Sequence, residues 1–435
     1  MLVNFRFRNC RSFYDETNLS MQATSDNSYK ELNTFEVPGT CMLANERELL
    51  KSAIIFGGNA SGKTNVIKAF YYMVAVIRLS SAQTQVPVVA ENETFALKVG
   101  ANYEPSLYEA EFIQNGKYYK YGFELCNNTV IHEWLYRREE RLTKVFERIG
   151  QQIEIKRVPQ EIKKVINVSG TSLFLSIANN FILPDVNEYI NDVIEWFSRV
   201  IIVFKDINNS LDIYTIDNGK YKKSALDILK KADIGITEFE VVKDKIANKD
   251  ELSDMEKLNN QIMTDPSLLR GQIKAEREGL YHIDLKTGFN VYDDNDNLAG
   301  EKEVMLFKEG NFNSDGTKRL LCYLGWVMAA LDHGRVIIID EIDSQLHFLV
   351  VDYIIKLFNS IKNNQNNAQL ICTAHNVILM DDGLRRDQIY FTGKDRFGKS
   401  SLVSLADYAG VRKQDLFSKR YLAGFYSSLP KLEEE

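Results

Sequence analysis

The sequence predicts an α/β fold with a mixed sheet, and three observations carry that prediction. An apolar strand over residues 49–56 leads into a glycine-rich loop, and a helix with apolar residues at helical spacing follows. Two β-rich runs over 107–125 are joined by Asn115-Gly116, which supplies the positive φ values of a type I′ turn. The unbroken β-branched run over 336–339 indicates a strand buried on both faces.

The first residues of the chain indicate a half-buried strand. Val3, Phe5 and Phe7 alternate with polar residues, which is unlike the basic and then apolar run of a signal peptide. The longest apolar stretches, 69–77 and 320–331, fall short of the roughly 20 residues that cross a bilayer. We therefore expect a cytoplasmic protein with no membrane partner.

Composition and charge describe an ordinary globular chain. With 435 residues, 45% hydrophobic and 26% charged, it is long enough for two or three domains or for one large domain with an insertion. The net charge of −7 argues against extensive coating of nucleic acid, although a local basic face stays open. The cysteines show no C-x-x-C spacing, so neither a disulfide framework nor a zinc site is indicated. They are Cys10, Cys41, Cys126, Cys322 and Cys372.

The pattern along the chain divides into three parts. Residues 1–157 hold the N-terminal strand, the glycine-rich loop and an antiparallel hairpin block, to which a strand over 130–135 is added. Residues 158–312 are mixed and predict an inserted, largely helical lobe without repeats or sustained heptads. Residues 313–435 return to sharp α/β signals. Their predicted elements are helices over 317–331 and 348–361 and strands over 336–339, 369–373 and 388–391.

A complete phosphate-binding loop, G-x-x-x-x-G-K-[ST], lies between the strand and the helix. Its backbone N–H groups are expected to surround the β-phosphate of ATP. Lys63 then bridges the β- and γ-phosphates, and the Thr64 hydroxyl holds Mg²⁺. The alternative is a glycine turn ahead of a helix. The predicted nucleotide-binding residues are Gly57, Gly58, Asn59, Ala60, Ser61, Gly62, Lys63, Thr64 and Asn65.

An acid pair ends the apolar strand over 336–339. Asp340 there fits a ligand of Mg²⁺, and Glu341 fits a general base acting on the attacking water. Such a pair alone is often a solvated turn. The phosphate-binding loop makes ATP hydrolysis the better interpretation.

Two further elements indicate which kind of phosphate-loop protein this is. His375 follows the strand over 369–373, where a histidine can contact the γ-phosphate, although a lone histidine after a strand is more often a core or surface residue. Ser314 and Gly316 open a helix just before the acid pair and form a second anion site. The simplest ligand for that site is a nucleotide bound to another copy of the chain. An ordinary capped helix start is the alternative.

This order of motifs resembles the ABC-type ATPases of the SMC, RecF and OLD group. The resemblance rests on Gly-x-Asn-Ala-Ser-Gly-Lys-Thr-Asn, the serine-glycine signature, Asp340-Glu341, a D-loop that begins at Ser344, and His375. It implies an ABC-type P-loop NTPase core, catalytic roles for Glu341 and His375, metal roles for Thr64 and Asp340, and a homo-oligomer that shares nucleotide sites.

Other segments are similar to RloA-type ATPases. They are residues 3–13, the hairpin block, 373–376, 386–391 and 421–426. RloA-type ATPases are associated with bacterial abortive-infection and anti-phage systems and are related to the ATPase of the PARIS system. The resemblance implies a separately encoded effector, often a nuclease. DNA and a phage protein are the candidate triggers, and the sequence does not choose between them.

The chain departs from the group in three places. Its signature reads Ser-Asp-Gly-Thr-Lys rather than Leu-Ser-Gly-Gly-Gln, so Asp315 puts an acid near the expected γ-phosphate. Gln83, Gln85 and Gln114 are weak candidates for a Q-loop. Too little chain follows His375 for the Toprim nuclease domain of OLD proteins, so intrinsic nuclease activity is not expected.

The alternative function is a RecF/SMC-like ATPase of DNA repair or chromosome maintenance that binds duplex DNA. Its candidate contacts are Arg137, Arg138, Arg141, Arg385 and Arg386, although such clusters are more often solvated. A transporter-energising subunit and a nucleotide switch without turnover are further alternatives.

Overall fold

The computed structural model groups the chain into two compact units. The first unit comprises Met1–Ile202, Gly334–Ile342 and Ile355–Glu435, and the second comprises Val203–His333 and Asp343–Ile354. The structure describes residues 1–37, 39, 41–43, 46–80, 93–155, 168–178, 186–204, 216, 219–231, 235–245, 273–276, 279–306, 314–411 and 415–426.

The described residues form nineteen strands and eight α-helices. The strands are β1 (Leu2–Arg8), β2 (Thr17–Ser20), β3 (Thr34–Glu36), β4 (Glu48–Leu50), β5 (Ser52–Gly57), β6 (Ser106–Gln114), β7 (Lys117–Cys126), β8 (Thr129–Arg138), β9 (Leu142–Ile149), β10 (Gln152–Ile155), β11 (Ile201–Val203), β12 (Ile236–Lys245), β13 (Ile273–Glu276), β14 (Gly279–Tyr292), β15 (Leu298–Met305), β16 (Val336–Ile339), β17 (Gln369–Thr373), β18 (Ile389–Lys394) and β19 (Ser400–Ser404). The α-helices are α1 (Lys30–Asn33), α2 (Lys63–Ser80), α3 (Phe174–Ile177), α4 (Asn187–Arg199), α5 (Gly219–Lys231), α6 (Asp315–His333), α7 (Phe348–Asn359) and α8 (Phe417–Leu422).

The sheet that carries the glycine-rich loop has the strand order β11-β16-β17-β5-β18-β19. The strands from β16 to β18 pair in parallel, and β19 returns antiparallel to β18, so the predicted mixed sheet is present. β5, β16 and β17 are buried along their whole length. Because parallel strands end at the same edge, the loop after β5 and the acids after β16 meet there.

The strand predicted over 49–56 is divided in two. β4 pairs with β3, whereas β5 pairs with β17 and β18. Lys51 stands between them, and its buried ammonium group donates a hydrogen bond to the Leu32 carbonyl at 2.7 Å. The apolar pattern continues through this point because both strands are buried, and only the change of pairing partner separates them.

The hairpin block is a seven-stranded sheet with the order β10-β9-β8-β7-β6-β1-β2. Every pairing in it is antiparallel, and Asn115 and Gly116 at the β6–β7 turn have φ of 50° and 73°. The hairpin that the Asn-Gly pair predicts is therefore confirmed, with both central residues in the left-handed region.

Aromatic side chains on one face of this sheet pack against helices α2 and α4. Phe5 lies 4.6 Å from Phe70 of α2, and Phe112 stacks at 4.2 Å on Trp196 of α4. The Gln369 amide of β17 also bonds to both backbone groups of Leu2, at 2.6 and 3.0 Å. This buried and hydrogen-bonded amide fixes the first strand of the hairpin sheet against the sheet of the glycine-rich loop.

The predicted lobe is not largely helical over its described residues, and this corrects the prediction. Helices α3 to α5 are accompanied by a four-stranded antiparallel sheet in which β14 pairs with β12, β13 and β15. Within the second unit α5 packs on β12. Asp284 and Thr287 of β14 are buried beside Leu285, so polar residues interrupt the apolar alternation that would have indicated the strand.

Both predicted boundaries of the lobe, at 157/158 and 312/313, lie outside the described residues. The five cysteines are free, and four of them are buried. Among the described ranges, no group of three or more histidine, cysteine, aspartate or glutamate side chains converges on a metal position. No helix in those ranges is both long and apolar enough to cross a membrane.

Candidate functional site

The glycine-rich loop wraps around the start of α2. The Lys63 ammonium group is buried and donates hydrogen bonds to the carbonyls of Gly57 at 2.8 Å and Gly58 at 3.2 Å. Ala60 is in the left-handed region at φ 59°, which turns the loop back over the helix. Such a turn in front of a helix N-terminus presents successive N–H groups to an anion.

Two glycines are required in this loop because other groups approach them closely. A Cβ on Gly57 would lie 2.3 Å from Thr392 Oγ1 and 2.6 Å from Ser61 Oγ. A Cβ on Gly62, whose φ is 116°, would lie 2.6 Å from Ser400 Oγ. The glycine spacing that predicts a phosphate site therefore also has a packing cause within the first unit.

Hydroxyl groups from three other segments hold the loop, and sequence reasoning missed their role. Ser61 Oγ lies 2.6 Å from Thr392 Oγ1. Asn65 Nδ2 donates to Ser12 Oγ at 2.8 Å, and Ser400 Oγ donates to the same Ser12 oxygen at 2.8 Å. We call Ser12, Thr392 and Ser400 the hydroxyl clasp. No spacing in the sequence relates residues so far apart, so only the fold identifies them.

The acid after β16 meets the threonine of the loop. Asp340 is 2% exposed, and its Oδ1 accepts hydrogen bonds from Thr64 Oγ1 at 3.2 Å and from Thr373 Oγ1 at 2.8 Å. Thr64 and Asp340 are the two predicted metal ligands, and the structure brings their oxygens together. Oxygen donors of this kind fit Mg²⁺, which keeps several waters and takes one or two protein ligands beside substrate phosphates.

Glu341 and His375 lie at the carboxyl ends of neighbouring strands. Glu341 has φ 48°, and its backbone N–H donates to Thr373 Oγ1 at 2.6 Å. Its Oε1 lies 3.8 Å from His375 Nε2, with the histidine side chain 42% exposed. The left-handed backbone at a glutamate is uncommon and costs energy, which is typical of functional positions. The predicted base and the predicted switch histidine are thus adjacent.

Ser314, Gly316 and Ser344 belong to the second unit. Ser314 Oγ accepts a hydrogen bond from Thr317 N at 3.1 Å, so it caps α6. A Cβ on Gly316 would lie 2.5 Å from the Gln345 carbonyl oxygen, which puts the start of α6 against the D-loop. The exposed Asp315 lies 3.9 Å from Lys318 within the same turn. The role of these residues at a nucleotide stays a prediction.

Arg385 was predicted as a candidate DNA contact, and the structure makes it a structural residue instead. It is 1% exposed and makes two hydrogen bonds to the Asp387 carboxylate, at 2.9 and 2.7 Å. Its neighbour Arg386 donates to Asp26 at 2.9 Å. Burial raises the pKa of Asp26, but hydrogen bonds from Ser28 and Arg386 outweigh it and hold that pKa at about 2.

The arginines at the end of β8 are also engaged within the first unit. Arg137 bonds to Glu139 at 2.6 Å and lies 4.3 Å above the Tyr189 ring, and Arg138 lies 4.7 Å above the Tyr118 ring. Arg141 is exposed. Ion pairing and stacking on tyrosine rings within the fold therefore engage Arg137 and Arg138 of this cluster.

No Q-loop is identified among the described residues. Gln114 lies in β6 and donates to Glu195 at 3.1 Å, so it joins the hairpin sheet to α4. Gln83 and Gln85 lie outside the described residues.

A comparison with protein families found a match that covers this site. A family model described as "AAA domain, putative AbiEii toxin, Type IV TA system" matches residues 52–381, which include β5, the loop, the acid pair and His375. No curated protein matches the chain at a significant level.

Proposed function

The chain belongs to this AAA-domain family of P-loop ATPases, and on that premise we propose that it binds and hydrolyses ATP at the loop over residues 57–65. The observation that carries the proposal is the meeting of Thr64, Asp340 and Glu341 at one edge of a mostly parallel sheet. A phosphate-binding loop, a metal position and a base are the parts that phosphoryl transfer to water needs.

The proposal divides the work among residues of the chain. The loop N–H groups and Lys63 bind the β- and γ-phosphates. When bound by Thr64 and Asp340, Mg²⁺ neutralises charge on those phosphates. Glu341 accepts a proton from the attacking water, and His375 contacts the γ-phosphate beside it. The 3.8 Å separation of Glu341 and His375 supports their acting on one group.

We further propose a homo-oligomer in which a second copy completes each nucleotide site through Ser314, Gly316 and Ser344. The close approach of Gly316 to Gln345 supports this, because the signature and the D-loop then move as one element of the second unit. ATP would draw the copies together, and hydrolysis would release them.

The proposed biological role is control of a separately encoded effector, with a nuclease as our first candidate, in bacterial anti-phage defence. The family description names a toxin–antitoxin setting, and the RloA-type resemblance supports the same context. DNA or a phage protein is the proposed trigger.

The decisive experiment compares wild type with Lys63→Ala and Glu341→Gln. Lys63→Ala should abolish binding of a fluorescent ATP analogue, because it removes the cation of the loop. Glu341→Gln should keep binding but lower the steady-state ATPase rate by roughly 10²- to 10⁴-fold, the range for loss of a general base.

Light scattering after size exclusion tests the assembly. Glu341→Gln should form a larger species with ATP than without it, and Lys63→Ala should not. A wild-type protein that releases no phosphate would overturn the hydrolysis proposal. An ATP-bound Glu341→Gln that keeps its apo mass would overturn the shared-site proposal.

A further inference from the structure

Thr373, the last residue of β17, has its hydroxyl between the two acids of the site. The sequence motifs assign it no role, and it is fully buried. Its Oγ1 donates to Asp340 Oδ1 at 2.8 Å and accepts the Glu341 N–H at 2.6 Å. One hydroxyl therefore uses its donor and an acceptor on two consecutive residues that follow the neighbouring strand β16.

The backbone of Thr373 binds the same turn. Its carbonyl accepts the Ile342 N–H at 3.0 Å, so residues 340–342 are all tied to this one position. The backbone of Glu341 is left-handed at φ 48°, a conformation that a glutamate rarely adopts. The hydroxyl thus opposes relaxation of the backbone that carries the base.

The contact also selects an orientation of the Asp340 carboxylate. Because Thr373 donates to Oδ1 and Thr64 donates to the same oxygen at 3.2 Å, that oxygen faces the loop. Loss of the Thr373 hydroxyl would leave a buried carboxylate oxygen and a backbone N–H each short of one partner, a costly arrangement.

We propose that Thr373 is a positioning residue. Its hydroxyl orients both the carboxylate of the metal ligand Asp340 and the backbone of Glu341, which carries the base. Orientation of the metal ligand and of the base then share one hydrogen-bonded group at the end of β17. His375 follows Thr373 by two residues in the same segment. A displacement of His375 would therefore move Thr373 and, through its hydroxyl, both acids. This inference rests on the proposed ATPase function for its kinetic part only.

The test replaces Thr373 by valine, which keeps the shape and removes the hydroxyl, and by serine, which restores it. Thr373→Val should lower kcat by about tenfold or more, equivalent to about 1.4 kcal/mol of barrier, with KM for ATP changed far less. The Mg²⁺ concentration for half-maximal binding of the fluorescent ATP analogue should rise several-fold. Thr373→Ser should return both quantities towards wild type.

Ser52→Ala is the matched control. Its buried hydroxyl lies at the opposite end of the central strand β5 and bonds to Asn359 and Gln388. It should lower the melting temperature while kcat and the Mg²⁺ midpoint stay at their wild-type values. If Thr373→Val does not fold, Thr373→Cys replaces it, because a thiol is a weaker donor than a hydroxyl. Its kcat and Mg²⁺ midpoint should lie between those of Thr373→Ser and those expected without a donor.

The outcomes separate this inference from the proposed function. If wild type hydrolyses ATP and Thr373→Val keeps its kcat and its Mg²⁺ midpoint, the inference is wrong and the ATPase stands. If wild type does not hydrolyse ATP, the function fails, and the Mg²⁺ midpoint alone decides whether Thr373 orients Asp340. Equal losses in Thr373→Val and Ser52→Ala would assign both hydroxyls to stability only.

Discussion

Two helix starts in this protein look alike in sequence and are built differently. α2 follows the glycine-rich loop, and α6 follows Ser314. At α2 the loop is fixed by the hydroxyl clasp and by close contacts at Gly57 and Gly62. At α6 Ser314 caps the helix, and Gly316 approaches the Gln345 carbonyl closely.

The two helix starts differ in the contacts that keep a short glycine motif in its conformation. Residues from three distant segments contact the α2 start, whereas the cap of α6 is a local bond from Thr317 to Ser314. The first is therefore a rigid site that should tolerate almost no change at glycine. The second should tolerate changes of its side chains but not of its contact with the D-loop.

The largest expected effect is from Gly57→Ala. The added Cβ meets Thr392 Oγ1 at 2.3 Å and the Thr392 carbonyl at 2.6 Å, so the loop must shift, at a cost of about 1–3 kcal/mol. Binding of the fluorescent ATP analogue should be lost where wild type saturates. Gly300→Ala in β15 is the control, because its Cβ meets nothing within 4 Å. Unchanged affinity in Gly57→Ala would contradict a rigid loop.

An intermediate effect is expected from Gly316→Ala, where two forces oppose each other. Alanine favours a helix by up to about 1 kcal/mol over glycine, but its Cβ would lie 2.5 Å from the Gln345 carbonyl. Because overlap with backbone costs about 1–3 kcal/mol, the variant should melt lower and lose ATP-dependent assembly in the Glu341→Gln background. Gly300→Ala, in β15 of the same unit and with nothing within 4 Å of its Cβ, is the control. A higher melting temperature would show that the helix start is purely local.

The smallest expected effect is from Ser12→Ala, which removes one member of the hydroxyl clasp. Asn65 and Ser400 each lose a hydrogen bond partner, at about 0.5–1.5 kcal/mol per bond. The dissociation constant for the ATP analogue should rise by a few-fold, with the fold intact by circular dichroism. Ser360→Ala, at a half-buried position just after the end of α7, should leave it unchanged. No difference between the two variants would remove Ser12 from the site.

Much of the fold and of the candidate site was predicted because its signals are local. Apolar runs mark β5, β16 and β17, Asn115-Gly116 marks a turn, and Gly57 to Thr64 follow one another within a single loop. The sheet of the second unit was missed because Asp284 and Thr287 are buried polar residues of β14. Arg385 was taken for a surface charge because a sequence does not show that Asp387 and three backbone carbonyls surround it.

The sequence by itself determined the strand, loop and helix around Lys63 and the residue types of the acid pair, since both depend on neighbours within a few positions. Only the tertiary structure decided that Thr64 meets Asp340, that Glu341 lies beside His375, and that Thr373 binds both acids with one hydroxyl. The physical reason is that hydrogen bonds between strand ends depend on strand order and register. Both are decided by packing over the whole sheet.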